Sequence, residues 1–487
     1  MTKVRINNKR LLTVPVDTEV TTQIVTEAIR LHLSRLVPIY RENENFYLSD
    51  HKILHARAKD TWKPDNRLVV NYAKYIVDMF NGYFIGIPAT VSHDDQVISD
   101  YVNDFRKFND MEDSESELSK LVDIFGHAFW YVYQDEDANT RVTYNSPMNM
   151  LIVHDNSVAE RPKFAVRYMI DEETGAGTGE VVTDKETGAG TGEVVTDKET
   201  IYFTLDNAGD VHFGERVNHI YSHLPIIEVI ENEERRGIFE SVKTLLDALN
   251  KAVSEKANDV DYFADAYLKI IGMELDDEVS SSIRDNRVFN LWGESGSQLD
   301  VDFLQKPNAD QTQENLIVLL RDAIFNISMV ANLSDKDFGN SSGTALAYKL
   351  QAMDNLAKSK DRKMQSGFNR LYEVVLSVPT TQVPADAWSE LNYKFTRNVP
   401  KNTLEEAQIV SQLNGQVSDE TKLSVLSIVQ DPKEELERME EESKKDSELY
   451  QQMALNERMS DLAINKDAEE SNEEKDGVED DRDRQTE

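Results

Sequence analysis

At 487 residues the chain is long enough to bury a sizeable core and to divide into two to four domains. It has no cysteine, which excludes disulfides, thiolate metal sites and cysteine nucleophiles and fits a protein made in a reducing cytosol. A formal charge of −37 disfavours a conventional DNA clamp, because neutralising phosphates takes a basic surface.

The acidity is not confined to one end. Residues 431–487 hold 22 acidic and 9 basic side chains, which leaves −24 on the first 430. The amino end, MTKVRINNKRLL, has no apolar h-region, so no signal peptide is expected. The most apolar window, 68–88, is interrupted by Lys74 and Asp78 and reads as too amphipathic to span a membrane. A soluble protein with no membrane partner is expected.

The first ~230 residues read as mixed α and β. Residues 18–35 look helical, with Val20, Ile24, Ala28 and Leu31 on one stripe. Asp65 or Asn66 is expected to cap a second helix bearing Leu68, Tyr72, Ile76 and Met79. It should end at Asn81-Gly82, with YFIGIPATV (83–91) as a strand. Two more helices follow, one with Val97, Tyr101 and Phe105, the other with Leu118, Leu121 and Val122 and with Gly126 just past its end. AFWYVYQDEDANTRVTY (128–144) reads as a hairpin.

Its turn holds Asp135, Asp137 and Asn139 at the spacing that starts an EF-hand loop. Thr140 stands where glycine is needed and Ser146 where glutamate is needed, so a solvated turn is expected and no metal. His219 and His223 lie four apart without the glutamate of a zinc-protease helix, and two partly exposed histidines are expected. ETGAGTGEVVTDK then occurs at 173–185 and again at 186–198. No glycine in the chain is followed by lysine, so the glycines form no Walker A loop and no nucleotide cofactor is expected. The duplication is expected to lie in an exposed hairpin, where extra length costs little.

From residue 234 long helices take over. Residues 237–263 place Val242, Leu245, Leu246, Leu249, Val253, Val260 and Phe263 on one stripe, with Asp247, Lys251, Glu255 and Asn258 outside it. Residues 269–304 read as short strands and polar turns. A helix is expected over 311–333, with Leu316, Leu320, Ile324 and Ile327 in register. GNSSG (339–343) fits the G-x-S-x-G nucleophile elbow, which needs a strand before the serine and a histidine after it. A helical pattern precedes Ser341, and the last histidine is His223, so no catalytic residue is assigned. A further helix runs from Thr344 to about Leu376, with Leu346, Leu350, Met353, Leu356 and Ala357 in register and Pro379 beyond it. T-L-E-E (403–406) fits a capping box, Ser418 or Asp419 should cap 421–430, and Asp431-Pro432 should separate that helix from the next. Beyond about Asp461 no apolar face remains, and a disordered acidic tail is expected.

Four stretches, 63–88, 125–147, 335–371 and 417–442, resemble the portal (head-to-tail connector) proteins of tailed bacteriophages, the type found in siphophages of Gram-positive hosts. In the third, Phe338, Ser342, Gly343, Ala345, Leu346 and Lys349 fall where that family places such residues. The 173–198 duplication departs from the pattern.

The resemblance implies an α+β portal fold assembled as a ring, usually of twelve subunits, at one capsid vertex of the virion. It has a mixed α/β wing, long stem helices, a small β-containing clip and a helical crown. Residues 1–233 and 344–400 would form the wing, 234–263 and 309–333 the stem helices, 264–308 the clip and 401–460 the crown, with 461–487 the tail. Residues 334–343 would be a tunnel loop presenting Lys336, Asp337, Phe338, Gly339, Asn340, Ser341, Ser342 and Gly343 to double-stranded DNA without sequence specificity. Implied partners are the terminase large subunit, head-completion or adaptor proteins, and the major capsid and scaffold proteins. Two glycines and three small polar residues suit such a loop, since they contact phosphates without fixed charge. The plain alternative is an interhelix connection with Ser342 or Thr344 as an N-cap. A non-channel phage assembly adaptor or scaffold-like protein, and a serine hydrolase, remain as other readings.

Overall fold

After β1 (Arg5–Ile6) and β2 (Leu12–Val14) the chain enters α1 (Thr22–Leu31), opened by Thr21 Oγ1 accepting the Ile24 N–H at 3.3 Å. Pro38 has no N–H for the carbonyl four residues back, and the backbone widens into a π turn at His32–Leu36 before α2 (Val37–Tyr47). The helix expected over 18–35 is therefore α1 and the π turn, and α2 carries it on past residue 35. The computed structural model describes residues 4–60, 63–170, 190–264, 268–271, 300–303, 310–333, 343–381, 383–399, 403–426, 428–429, 431–445 and 447. They fall in two units divided after Asn398.

Helix α3 (Tyr72–Ile85) corrects the expectation at both ends. It begins seven residues after Asp65, with Asn71 Oδ1 accepting the Lys74 N–H at 2.9 Å. Asn81-Gly82 does not stop it, because Phe80, Tyr83, Phe84 and Ile85 stay buried on the helical repeat. The strand expected over 83–91 shrinks to β3 (Thr90–Ser92).

Helices α4 (Gln96–Phe108) and α5 (Met111–Phe125) form where expected, but α4 buries Ile98, Val102 and Phe105 and leaves Val97 exposed. Gly126 ends α5 at φ 89°, and the Arg235 backbone stands 2.3 Å from where its Cβ would be. Conformation and packing both require glycine there. The hairpin is β4 (His127–Gln134) and β5 (Thr140–Asn145). Asp135 accepts the N–H groups of Asp137 and Asn139 at 3.1 and 2.8 Å, so its carboxylate closes its own turn.

Strands β6 (Met150–Asp155), β7 (Pro162–Ile170), β8 (Gly190–Val195), β9 (Glu199–Leu205), β10 (Val211–Asn218) and β11 (Ile226–Ile230) complete the sheets. One seven-stranded sheet runs β1-β2-β6-β7-β8-β9-β10, and β11-β4-β5 forms a second. Phe129 and Ile226 of the second sheet pack with Met150, Ile152, Ala165 and Val195 of the first. The repeat is not wholly an exposed hairpin. Its second copy supplies β8, paired on both sides, with Val194 and Val195 fully buried. The first copy lies outside the described residues.

Helix α6 (Lys243–Ala264) leads to β12 (Leu268–Ile271), which pairs with β13 (Asp300–Phe303). Helix α7 (Asp310–Ser328) ends five residues sooner than expected, because Met329 takes the left-handed φ of 61°. The long α8 (Gly343–Leu376) buries Leu350, Met353, Ala357, Met364, Phe368, Leu371 and Val375. Strand β14 (Asn392–Lys394) then pairs with β3.

The second unit holds α9 (Thr403–Gln412), α10 (Asp419–Val425) and a helix over 432–445, α11. Ser418 Oγ caps α10 through the Thr421 N–H at 3.3 Å, and Asp431 Oδ1 opens α11 through the Lys433 N–H at 2.8 Å. Residues 461–487 lie outside the described residues.

Candidate functional site

Of the eight residues assigned to the tunnel loop, Lys336, Asp337, Phe338, Gly339, Asn340, Ser341 and Ser342 lie outside the described residues. Gly343 is the first residue of α8. The described part of the site is its frame: α6, α7 and α8, and whatever holds them.

Helix α6 is held by polar side chains at a four-residue interval. Asn258 Oδ1, Ser254 Oγ and Asn250 Oδ1 accept the backbone N–H groups of Asn66, Leu68 and Val70 at 2.6, 2.9 and 2.8 Å. Four helical residues rise about 6 Å, and two extended residues advance about 6.6 Å, so the two elements stay in step for three contacts. Asn250 Nδ2 also donates to His51 Nδ1 at 2.8 Å. Asn250, Ser254 and Asn258 are all buried, whereas Val260 is exposed. The stripe drawn from the sequence held for Val242, Leu246 and Leu249 and is corrected below them, where Asn258 faces inward. This contact explains the late start of α3: residues 66–70 stay extended because their donors are already used.

The other face of α6 meets α7. Lys256 pairs with Glu314, and Gln313 Nε2 donates to Asp259 Oδ2 at 2.6 Å. Ile324, Phe325 and Ser328 of α7 are buried, while Leu316 and Ile327, expected on the same stripe, are exposed. Beyond the turn at Met329, the Tyr75 hydroxyl accepts the Leu333 N–H at 3.0 Å and donates to the Ala331 carbonyl at 3.3 Å. One α3 side chain thus fixes the last described residues before the loop.

On the far side of the loop, α8 carries Lys360 into the core. Lys360 Nζ contacts Asp123 Oδ1 at 2.5 Å, the Ser119 carbonyl at 3.2 Å and Glu231 Oε2 at 3.8 Å, with all three charged groups buried. It also lies over the rings of Phe80 and Phe84. Burial raises the carboxyl pKa values of both Asp123 and Glu231, and Lys360 opposes the rise. Asp123 Oδ2 and Glu231 Oε2 have no hydrogen-bond partner as two carboxylates. One proton shared between them satisfies both, leaving a balanced Lys360–carboxylate pair.

A second buried network ties α2 to the sheets. Arg235 holds Glu228 through two bonds of 2.6 and 2.7 Å, and His127 Nδ1 lies 2.6 Å from Glu228 Oε1. Burial lowers the His127 pKa, and Arg235 already balances Glu228, so the ring is neutral. Its Nδ1–H donates to Glu228 and Nε2 accepts from the Tyr40 hydroxyl at 2.8 Å. These groups are spent on one another. None lines either of the two hollows beside β10.

Two open hollows, of about 910 and 490 Å³, flank β10 on the sheet. Arg30, Asp210 and His212 line the larger, but Arg30 is paired with Asp210 and His212 with Asp206. Among the described residues no three His, Asp or Glu side chains are placed to hold a metal ion. His219 is half-buried and His223 exposed, as expected. The last described helix before Ser341 is α7, and residues 334–342 lie outside the described residues. No described helix is long and apolar enough to cross a membrane.

Sequence reasoning missed Asn250, Ser254, Asn258, Tyr75 and the Asp123–Glu231–Lys360 cluster. The first three left a signal, a polar run at i, i+4 beside an apolar stripe. Lys360 left none, since a lysine on a core repeat reads as an interruption.

The family of phage portal proteins described as SPP1 Gp6-like matches residues 27–449. The portal protein of Bacillus phage SPP1 is 24% identical over 405 residues, covering 80% of this chain and 78% of that protein. The portal protein of Clostridium phage phiCD119 is 20% identical over 389 residues, covering 77% and 85%. A chain in the neck of an empty GTA particle superimposes at a TM-score of 0.46 and 11% identity, over 79% of this chain and 92% of that one, a likeness too slight to argue from. With its match running from the first helix to beyond the last described one, the chain belongs to the SPP1 Gp6-like family of phage portal proteins.

Proposed function

We propose that copies of this chain, twelve in the virion, close into a ring at one capsid vertex, and that the ring is the channel for double-stranded DNA. A separate terminase drives DNA inward through it during packaging, and the DNA leaves by the same path on ejection. The observation that carries this reading is that the family match runs through α6, α7, the connecting loop and α8 alike.

In this reading α6 and α7 are the stem helices, 264–308 the clip toward terminase and later the head-completion proteins, and 401–460 the crown toward the capsid interior. The sheets and α8 belong to the wing. The 334–343 loop, with Lys336 through Gly343, faces DNA. An acidic channel suits transit, because a dense basic ring would hold a polyanion in place. The role is structural and carries no catalysis of its own.

The test is deletion of residues 335–342. Rings should still assemble, while packaging of DNA into capsids should fail. Normal packaging by the deleted protein would remove the tunnel-loop assignment.

A further inference from the structure

The place that β8 fills in the seven-stranded sheet is demanding. A Cβ on Gly190 would run into the Met169 carbonyl oxygen. A Cβ on Gly192 would stand 2.5 Å from the Arg167 carbonyl oxygen and closer still to the Phe203 ring. Thr191 is exposed, whereas Glu193 is buried and pairs with Arg167 at 3.4 Å. Val194 and Val195 are fully buried, and Val195 packs with Phe129, Met150, Ile152, Ala165 and Ile226. The slot therefore calls for glycine, an open position, glycine, glutamate and two small apolar side chains.

The chain contains that string twice. GTGEVV stands at 190–195 and again, residue for residue, at 177–182. A strand slipped by one residue turns its side chains to the wrong face, which ordinarily fixes register. A slip of thirteen residues changes nothing inside this slot. Gly177, Gly179, Glu180, Val181 and Val182 would meet the neighbours of Gly190, Gly192, Glu193, Val194 and Val195.

The connections allow the slip. With the second copy in place, 19 residues join β7 to β8 and 3 join β8 to β9. With the first copy the lengths become 6 and 16. Loop closure alone then separates the two registers by only about twofold in population. What favours the second copy is its tight turn. Thr196 Oγ1 accepts the N–H groups of Lys198 and Glu199 at 3.2 and 3.0 Å, and the His219 N–H donates to the Lys198 carbonyl at 3.1 Å.

We propose that the first copy is a spare for β8: either copy completes the sheet, with the second preferred. Exchange carries thirteen residues of chain from one end of the strand to the other, about 20 Å away. A strand paired on both sides is thereby replaceable within one subunit.

Three variants of the full chain test it, read by melting temperature. Val195→Asp puts a carboxylate into the core of the preferred register, which is severe where nothing can replace the strand. With a spare it should lower the melting temperature by less than half as much as Val182→Asp/Val195→Asp, in which neither copy fits. Val182→Asp alone should leave the melting temperature unchanged. A Val182→Cys thiol, single in a chain without cysteine, should label with maleimide at least roughly tenfold more slowly when Val195→Asp is also present. Four results would overturn the spare strand: Val195→Asp as damaging as the double variant, a double variant as stable as wild type, a large fall from Val182→Asp alone, or equal labelling rates.

Discussion

The Leu68 N–H donates to Ser254 Oγ at 2.9 Å, across 186 residues of sequence. It is the middle of three contacts in which a helix side chain takes the place of a neighbouring strand. Asn250 has most at stake, because its amide serves both the Val70 N–H and His51 Nδ1. Asn250→Ala should leave both without partners and cost about 1–3 kcal/mol, read as a fall in the urea midpoint. An unchanged midpoint would mean that water replaces the amide and that the contact does not hold α6.

The buried carboxyls set a pH dependence of definite sign. Burial raises Asp123 and Glu231 above their ordinary 3.8 and 4.5, and pushes Glu115 up to about 7 despite its pair with Arg106. Such a group holds its proton in the folded chain at a pH where the unfolded chain has lost it. Its contribution is full below the unfolded pKa and is lost as pH rises through the folded one. The melting temperature should therefore fall from about pH 7 to about pH 8, above the range in which the buried His32, His51, His127 and His154, whose pKa values burial lowers, make stability rise with pH. Glu231→Gln should flatten that fall, since it removes one of the shared titrating groups. A melting temperature that rises across the window, or an unaltered slope in the variant, would contradict the shared-proton arrangement.

Lys360→Met should keep the volume and remove the only cation of that cluster. The expected loss at pH 8 is about 3–5 kcal/mol, the usual cost of stranding a buried charge. Part of it should return at pH 5, because proton uptake by the raised carboxyls removes the charge left unpaired. An equal loss at both pH values would assign Lys360 a packing role alone.

Deleting residues 173–185 or 186–198 produces the same protein, because the copies are identical. Nineteen residues now join β7 to β8, and six would remain, with the β8 sequence GTGEVV intact. Loop closure alone should then favour folding by about 1 kcal/mol. A large fall in stability would show that the first copy contributes packing of its own.

How much of this was legible depended on where each segment finds its partners. Helices α4, α5 and α8 and the β4–β5 hairpin were readable because their periodicity and stop signals are local, with Gly126 at its left-handed turn as the clearest case. The 66–70 segment was misread as helix because its partners, Asn250, Ser254 and Asn258, are far away in sequence and supply hydrogen bonds that a local pattern cannot show. Gly82 misled for the opposite reason: a residue that often ends helices was outvoted by Phe80, Tyr83 and Phe84 on the buried repeat. The repeat was read as dispensable length, yet half of its second copy is a central strand. As for the loop, its neighbours α7 and α8 were read to within a few residues, while Lys336 through Ser342 lie outside the described residues.

Removing residues 462–487 should leave assembly intact, because that stretch has a high charge and no apolar face with which to pack. Native mass would show it directly. Loss of the oligomer on truncation would make the tail a structural part of the ring.

Negative-stain electron microscopy with native mass measurement shows whether copies of this chain build a ring with an axial channel. Annular particles with an axial hole are expected, at about twelve times the 55.6 kDa subunit mass. A homogeneous monomer or dimer that yields no ring at high concentration, even under crosslinking, would contradict it.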